Sequence, residues 1–124
     1  HILAPRLAIY PVLAVGTDEQ RQRVLPAYAG DRFRAATAAV VEPRFDFDLA
    51  DLKTSARRDG GDYVLDGSKC FVPLAADAEH LVVYAQTGAG YDGVAGFLVD
   101  KGSAGLKISE REKNMGIKAL ATYE

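Results

Sequence analysis

The sequence predicts a mainly β domain, either a small antiparallel barrel or a sandwich, preceded by a short α-helical segment. Between residues 17 and 33 the pattern is helical, with a capping residue and acids ahead of an apolar turn. From residue 34 onward, alternating or short apolar runs of about five to eight residues are separated by glycine turns. A chain of 124 residues is long enough for one domain with a modest core.

The opening stretch "ILAPRLAIYPVLAVG" is apolar but is interrupted by Pro5, Arg6 and Pro11. A membrane-spanning helix needs about 20 predominantly apolar residues, so this stretch is not predicted to span a membrane. The chain begins at His1 rather than at methionine, which favours a piece of a longer protein over a signal peptide.

The first predicted helix runs from Asp18 to Leu25. Thr17 precedes it, where the hydroxyl can cap free N–H groups, and the acids that follow favour the positive end of the helix dipole. Pro26 stands where a break or a new first turn is tolerated. A second short helical turn is expected before Gly30.

The strongest turn signal lies in "RDGGDYVLDGSK", where the tip from Asp59 to Asp62 predicts a β-hairpin. Asp66-Gly67 supplies a second turn or a bulge. The later runs "EHLVVYAQTG" and "GVAGFLVD" are predicted strands. The glycines between residues 88 and 96 resemble a phosphate-cradling loop only superficially, because no helix follows them, and a hairpin is the better prediction.

Composition limits the classes of function. The chain has 15 Lys plus Arg against 17 Asp plus Glu, which predicts no nucleic-acid partner. Cys70 is the single cysteine, is expected to be a small buried apolar residue, and fits a reducing cytoplasmic compartment. His1 and His80 lack ligand spacing, and the alternating acids at 46, 48 and 51 fit a solvated turn, so no metal site is predicted. His80 is expected at a strand start.

Four stretches in order, "GTDEQRQRVLP", "VVEP", "DLKTSARRDGGDYVLDGSKCFV" and "EKNMGIKALATYE", resemble the acyl-CoA dehydrogenase family. The resemblance implies that residues 1–33 are the end of an N-terminal helical domain. It also implies that residues 34–124 form most of the family's middle β-barrel, incomplete at its C-terminal end. The family's cofactor is FAD, and its catalytic base lies in a C-terminal helical bundle, so no catalytic residue is predicted in this chain.

The first barrel strand and the turn after it depart from the family pattern of threonine-glutamate-proline-x-alanine-glycine-serine-aspartate. The resemblance implies that Val40 and Val41 face the flavin, with Val41 in place of a threonine that would donate a hydrogen bond. Phe47 stands where a serine would contact cofactor phosphate, and Asp46 replaces a glycine. Because Phe45 and Phe47 alternate with acids, both rings would share one face of an extended segment. They either cover the barrel mouth or, with Asp46, line an acyl or flavin pocket.

The second flavin-facing strand departs as well. The family's tryptophan-isoleucine-threonine corresponds to Phe71, Val72 and Pro73. Phe71 retains an aromatic wall, whereas Pro73 lacks both the hydroxyl and the backbone donor. Lys118 stands at a position that the family usually fills with arginine, so the charge is kept without the bidentate fork.

Three interpretations of the function remain open. The resemblance implies FAD-dependent α,β-dehydrogenation of an acyl-CoA thioester by a homo- or hetero-oligomer that passes electrons to an electron-transfer flavoprotein or a similar acceptor. The departures at the flavin positions also fit a non-catalytic scaffold subunit whose partner carries the redox chemistry. The third interpretation is a stand-alone β-barrel interaction module, which stable monomers without affinity for flavin or acyl-CoA would support.

Overall fold

The computed structural model describes residues 3–116 and 119–124. His1 and Lys118, both considered above, lie outside the described residues. The first helix, α1 (Leu3–Val15), was not predicted from the residue pattern because of its two prolines. Pro5 lies in the first turn, where its missing N–H costs nothing, and Pro11 removes one internal hydrogen bond. In the described residues, no helix has the length and apolar character that crossing a membrane requires.

The second helix, α2 (Asp18–Val24), begins where the sequence predicts it. Gln20 N donates to Thr17 Oγ1 at 3.2 Å, and Thr17 N donates to Gln20 Oε1 at 3.0 Å, so the two residues form a reciprocal capping box. A 3-10 turn, Leu25–Tyr28, follows with Pro26 near its start. The predicted helix and the short turn after it are therefore confirmed.

The described residues after this turn form two sheets with seven strands in all. The seven strands are β1 (Ala36–Ala39), β2 (Ser55–Asp59), β3 (Asp62–Asp66), β4 (Val72–Pro73), β5 (His80–Gln86), β6 (Val94–Asp100) and β7 (Thr122–Tyr123). Strand β5 is central to the larger sheet, pairing with β1, β2 and β6, while β3 continues from β2. The small second sheet contains β4 and β7, paired antiparallel.

The strand pairings confirm both predicted hairpins. The β2–β3 hairpin turns at Gly60–Gly61, and β5 pairs antiparallel with β6 from His80↔Asp100 to Gln86↔Val94. The larger sheet is nevertheless mixed rather than purely antiparallel, because β1 runs parallel to β5. A parallel pair needs a long crossover, and the chain from β2 to β4 supplies it.

The core lies on both faces of β1, which is buried along its whole length. On one face Ala36 and Ala38 pack with Ala8 and Val12 of α1. On the other face Ala39 belongs to a second cluster with Val72, Ala75, Ala78 and Leu81. Because both faces are covered, β1 shows no alternation of buried and exposed residues, and its alanines let α1 approach closely.

Candidate functional site

The structure brings the two predicted cofactor-facing segments side by side. Val40 and Val41 follow β1 and are half-buried. The carbonyl of Val40 accepts from Lys69 Nζ at 3.0 Å, and the carbonyl of Val41 accepts from Cys70 N at 2.9 Å. Phe71 continues directly from Cys70, so residues separated by about 30 positions in sequence share one side of the fold.

Phe71 has an unusual backbone conformation. Its φ is +53°, a left-handed value that costs a non-glycine residue about 1–3 kcal/mol. Its N–H donates to the Glu112 carboxylate at 3.2 and 3.3 Å to the two oxygens. The residue is 56% exposed, so a large part of its aromatic side chain is accessible.

Pro73 fits its strand without losing a ladder hydrogen bond. It pairs with Thr122, and the next residue, Leu74, donates its N–H to the Ala121 carbonyl at 2.8 Å. Backbone donors of a strand point to alternate sides, so the nitrogen of Pro73 faces away from β7. A proline is therefore tolerated here, and no N–H is available at this position for a ligand.

The expected alternation of Phe45 and Phe47 is wrong. Residues 43–46 form bends and a turn rather than an extended segment. Phe45 is fully exposed and Phe47 is half-buried, so the two rings do not share an environment. Asp46 is exposed and forms an ion pair with Arg44 at 3.1 Å.

Arg44 causes this turn. Its guanidinium donates to the backbone carbonyls of Asp46, at 2.8 Å, and Asp51, as well as to the Glu42 carboxylate at 3.1 Å. These three hydrogen bonds from one rigid guanidinium bend the chain back on itself. The segment therefore is not extended, despite its alternation of aromatic and acidic residues. The Asp46 carboxylate is held by the Arg44 guanidinium.

Glu42 was noted in the sequence only as part of the family pattern, yet it is the most connected polar residue of the site. Its side chain is 3% exposed and accepts from Lys53 N at 2.9 Å, Thr54 N at 2.7 Å, Lys69 Nζ at 3.2 Å and Arg44 Nε. We call Glu42, Arg44, Lys53, Thr54 and Lys69 the Glu42 cluster. The available signal in the sequence was an acid between an apolar run and a proline, with a lysine shortly after the predicted hairpin.

Burial opposes the ionisation of Glu42, but donated hydrogen bonds outweigh it. The amides of Lys53 and Thr54, the Thr54 hydroxyl and the Lys69 ammonium together lower the pKa of Glu42 from 4.5 to about 2. Burial lowers the pKa of Lys69, against the attraction of Glu42. Glu42 is therefore ionised at neutral pH, and its carboxylate forms an ion pair with Lys69 at 3.2 Å.

An open depression of about 200 Å³ adjoins the Glu42 cluster and reaches Pro43, Gly67 and Ser68. Gly67 has a φ of +151°, and a Cβ there would lie 2.6 Å from Thr54 Cα. The structure has no turn or bend at Asp66-Gly67, so the predicted turn is not confirmed. Residue 67 nevertheless requires glycine, because the Thr54 backbone passes too close for a side chain.

The remaining polar candidates have structural explanations. Cys70 is buried as expected, and burial raises the pKa of its thiol. His80 starts β5 as predicted, with Nδ1 2.8 Å from the Tyr28 hydroxyl. Within residues 3–116 and 119–124, no three His, Cys, Asp or Glu side chains gather as a metal-ligand group.

Comparison with protein families supports the fold described above and matches the part of the chain predicted to form the middle β-barrel. The family model for the acyl-CoA dehydrogenase middle domain matches residues 37–124. The chain belongs to the acyl-CoA dehydrogenase family. The predicted middle-domain fold with a short helical lead-in is therefore confirmed.

The similarity extends to individual acyl-CoA dehydrogenases. Cyclohex-1-ene-1-carbonyl-CoA dehydrogenase of Geobacter metallireducens is 34% identical over 99% of this chain and 33% of its own length. The mitochondrial short-chain specific acyl-CoA dehydrogenase of Bos taurus is 35% identical over 94% of this chain and 28% of its own length. The chain therefore spans about a third of the length of these relatives.

Solved structures of acyl-CoA dehydrogenases have a region with the same fold as this chain. A glutaryl-CoA dehydrogenase from Mycobacterium smegmatis, solved in complex with FADH2, superposes with a TM-score of 0.82 at 32% identity, over 94% of this chain and 29% of the other. Butyryl-CoA dehydrogenase from Megasphaera elsdenii gives a TM-score of 0.82 at 27% identity, over 97% and 32%. The roles assigned to Val40, Val41, Phe45, Asp46, Phe47, Phe71 and Pro73 remain predictions.

Proposed function

We propose that this chain is part of an FAD-dependent acyl-CoA dehydrogenase subunit that converts an acyl-CoA thioester to its α,β-unsaturated thioester. The observation that carries the proposal is the contact between the two predicted flavin-facing segments, made by the bonds of Lys69 and Cys70 to the carbonyls of Val40 and Val41. The names of the similar proteins, which act on several different acyl-CoA thioesters, support the reaction class and leave the acyl group open.

The residues present fit FAD through aromatic surface and backbone donors. Phe71 offers an exposed ring for stacking, and the N–H groups of Val41 and Phe47 have no protein acceptor in the part of the chain that the structure describes. The side chains of Val41, Phe47 and Pro73 add no hydrogen bond. When bound, FAD supplies the hydride acceptor, and these residues bind and orient its ring and exclude water around it.

We also propose that residues 1–33 close an N-terminal helical domain and that residues 34–124 form a middle barrel completed by further chain. Helix α1 supports this, because its face opposite the core is apolar and exposed at Leu3, Leu7, Tyr10 and Leu13. A large exposed apolar face is typical of a surface that another element covers. We assign the catalytic base to a C-terminal bundle and none to this chain.

The cellular setting follows from the same proposal. We expect a cytoplasmic homo- or hetero-oligomer that passes its electrons to an electron-transfer flavoprotein or a similar acceptor. One structure that matches at a TM-score of 0.81 comes from work on the electron transferring flavoprotein of Acidaminococcus fermentans, which supports such a partner.

A scaffold subunit without FAD is the second candidate, and a specific observation favours it. Val41, Phe47 and Pro73 each lack the donor that the family pattern carries there. Neutral hydrogen bonds contribute about 1 kcal/mol each, and each 1.4 kcal/mol lost weakens binding about tenfold. In this case an intact partner subunit would carry the redox chemistry.

The visible absorption spectrum of the purified complete subunit separates the two candidates. A flavin band that bleaches on anaerobic addition of one acyl-CoA in a series supports the dehydrogenase and identifies the substrate class. A subunit that shows no flavin band after reconstitution with FAD is a scaffold. In that case the Phe47→Ser, Pro73→Thr double variant should gain FAD affinity.

A further inference from the structure

The Glu42 carboxylate joins three segments that are separate in sequence. Its Oε1 accepts from Thr54 N and Lys69 Nζ, and its Oε2 accepts from Lys53 N and Arg44 Nε. The turn after β1, the approach to β2 and the chain leaving β3 therefore meet at one buried side chain.

Lys69 extends this junction to the proposed flavin site. Its side chain is 7% exposed, and Nζ bonds both Glu42 Oε1 and the Val40 carbonyl. The next residue, Cys70, bonds the Val41 carbonyl through its N–H, and Phe71 follows. Moving the Lys69 ammonium would shift Val40 and Val41 relative to Phe71.

A buried ion pair is an inefficient way to stabilise a fold. Removing two charges from water costs nearly what their attraction returns, and apolar residues of similar volume often do as well. What such a pair provides is a fixed geometry, because each buried charge must keep its hydrogen bonds. Here the pair bonds the backbone of three segments, at Val40, Lys53 and Thr54, and the first of these belongs to the proposed site.

We propose that Glu42 and Lys69 are positioning residues that fix Val40–Val41 and Phe71 at the spacing required to bind the flavin ring. The inference rests on the proposed FAD site and adds the residues that fix the positions of its two segments, Val40–Val41 and Phe71. Neither residue is proposed to touch the cofactor or the reacting atoms.

The test uses the complete subunit with the variants Lys69→Met, Glu42→Gln and the double variant Glu42→Gln, Lys69→Met. Methionine keeps the length of lysine without a donor, and the double variant leaves no uncompensated buried charge. Glu79→Gln is the matched control, because Glu79 also pairs with an arginine, at 2.7 Å, but is 42% exposed and lies away from the site.

Three properties are measured for each variant: the FAD dissociation constant, the visible spectrum of the bound flavin, and apoprotein stability, which is read from urea unfolding and from hydrogen exchange at Cys70 N. We expect each single variant to lose stability and the double variant to recover most of it. We expect Lys69→Met and the double variant to bind FAD at least about tenfold more weakly and to change the flavin spectrum. Glu79→Gln should match the wild type in all three.

A double variant with wild-type FAD affinity and spectrum would overturn the inference. A double variant whose apoprotein does not fold would also overturn it, because the pair would then be a requirement of the fold itself. If the wild-type subunit fails to bind FAD after reconstitution, the proposed function fails along with the inference. Normal wild-type binding with unaffected variants rejects the inference alone.

Discussion

The ionised Glu42 carboxylate should give the protein a specific sensitivity to acid. Hydrogen bonds that outweigh burial hold its pKa at about 2 in the folded state, compared with 4.5 for the unperturbed group. A group with a lowered folded pKa stabilises the native state above its unfolded pKa, and this stabilisation is lost as the pH falls through the folded value. The difference of about 2.5 pH units, at about 1.4 kcal/mol per unit, corresponds to about 3 kcal/mol.

The assay is urea unfolding of the apoprotein at pH 6, 4 and 3 for the wild type and Glu42→Gln. Glutamine cannot ionise, so the variant should be less stable by about 3 kcal/mol at pH 6, and the gap should narrow steadily below about pH 4.5. Other carboxylates titrate in both proteins and cancel in the difference. A gap that stays constant from pH 6 to pH 3 would refute the assignment of this stabilisation to the Glu42 carboxylate.

Three further predictions concern single side chains. Gly67→Ala should lower the unfolding free energy by about 2 kcal/mol or more through backbone strain and close contact, whereas Gly61→Ala, with open space around it, should change it far less; equal effects would contradict this. Phe71→Ala should weaken FAD binding about tenfold in a fluorescence titration, whereas Phe33→Ala, similarly exposed elsewhere, should not; equal affinities would exclude stacking. Cys70 should resist iodoacetamide in native protein, as read by peptide mass spectrometry, and react in urea; rapid native labelling would show that the thiol is accessible.

Local features of the fold could be predicted from the sequence, whereas pairings between distant segments could not. The Thr17 capping box and the Gly60–Gly61 hairpin depend on residues within a few positions of one another, and both are confirmed. Helix α1 was missed because Pro5 and Pro11 are poor helix residues, and packing against β1 outweighs that cost. The parallel pairing of β1 with β5 depends on a long crossover that has no local signature.

The candidate site also has parts that could be predicted from the sequence and parts that could not. The family pattern indicated Val40, Val41 and Phe71, and the structure places their segments side by side. The contact between Glu42 and Lys69 spans 27 positions, so neither residue identifies the other in sequence. The prediction that Phe45 and Phe47 share one face was wrong because it assumed an extended chain. The Arg44 guanidinium, whose partners lie on both sides of the turn, bends the chain instead.

The Glu42 cluster also explains how the family pattern can change at Val41 and Phe47 without disturbing the fold. The two segments are joined through the Val40 and Val41 carbonyls, Lys69 Nζ and Cys70 N, none of which depends on a hydroxyl at residue 41 or 47. The side chains that we propose to face the cofactor are thus distinct from the groups whose hydrogen bonds join the two segments. Replacing a hydroxyl there changes ligand affinity by about 1 kcal/mol per bond while leaving the backbone in place. The proposed flavin site therefore relies on stacking on Phe71 and on backbone donors rather than on side-chain hydroxyls.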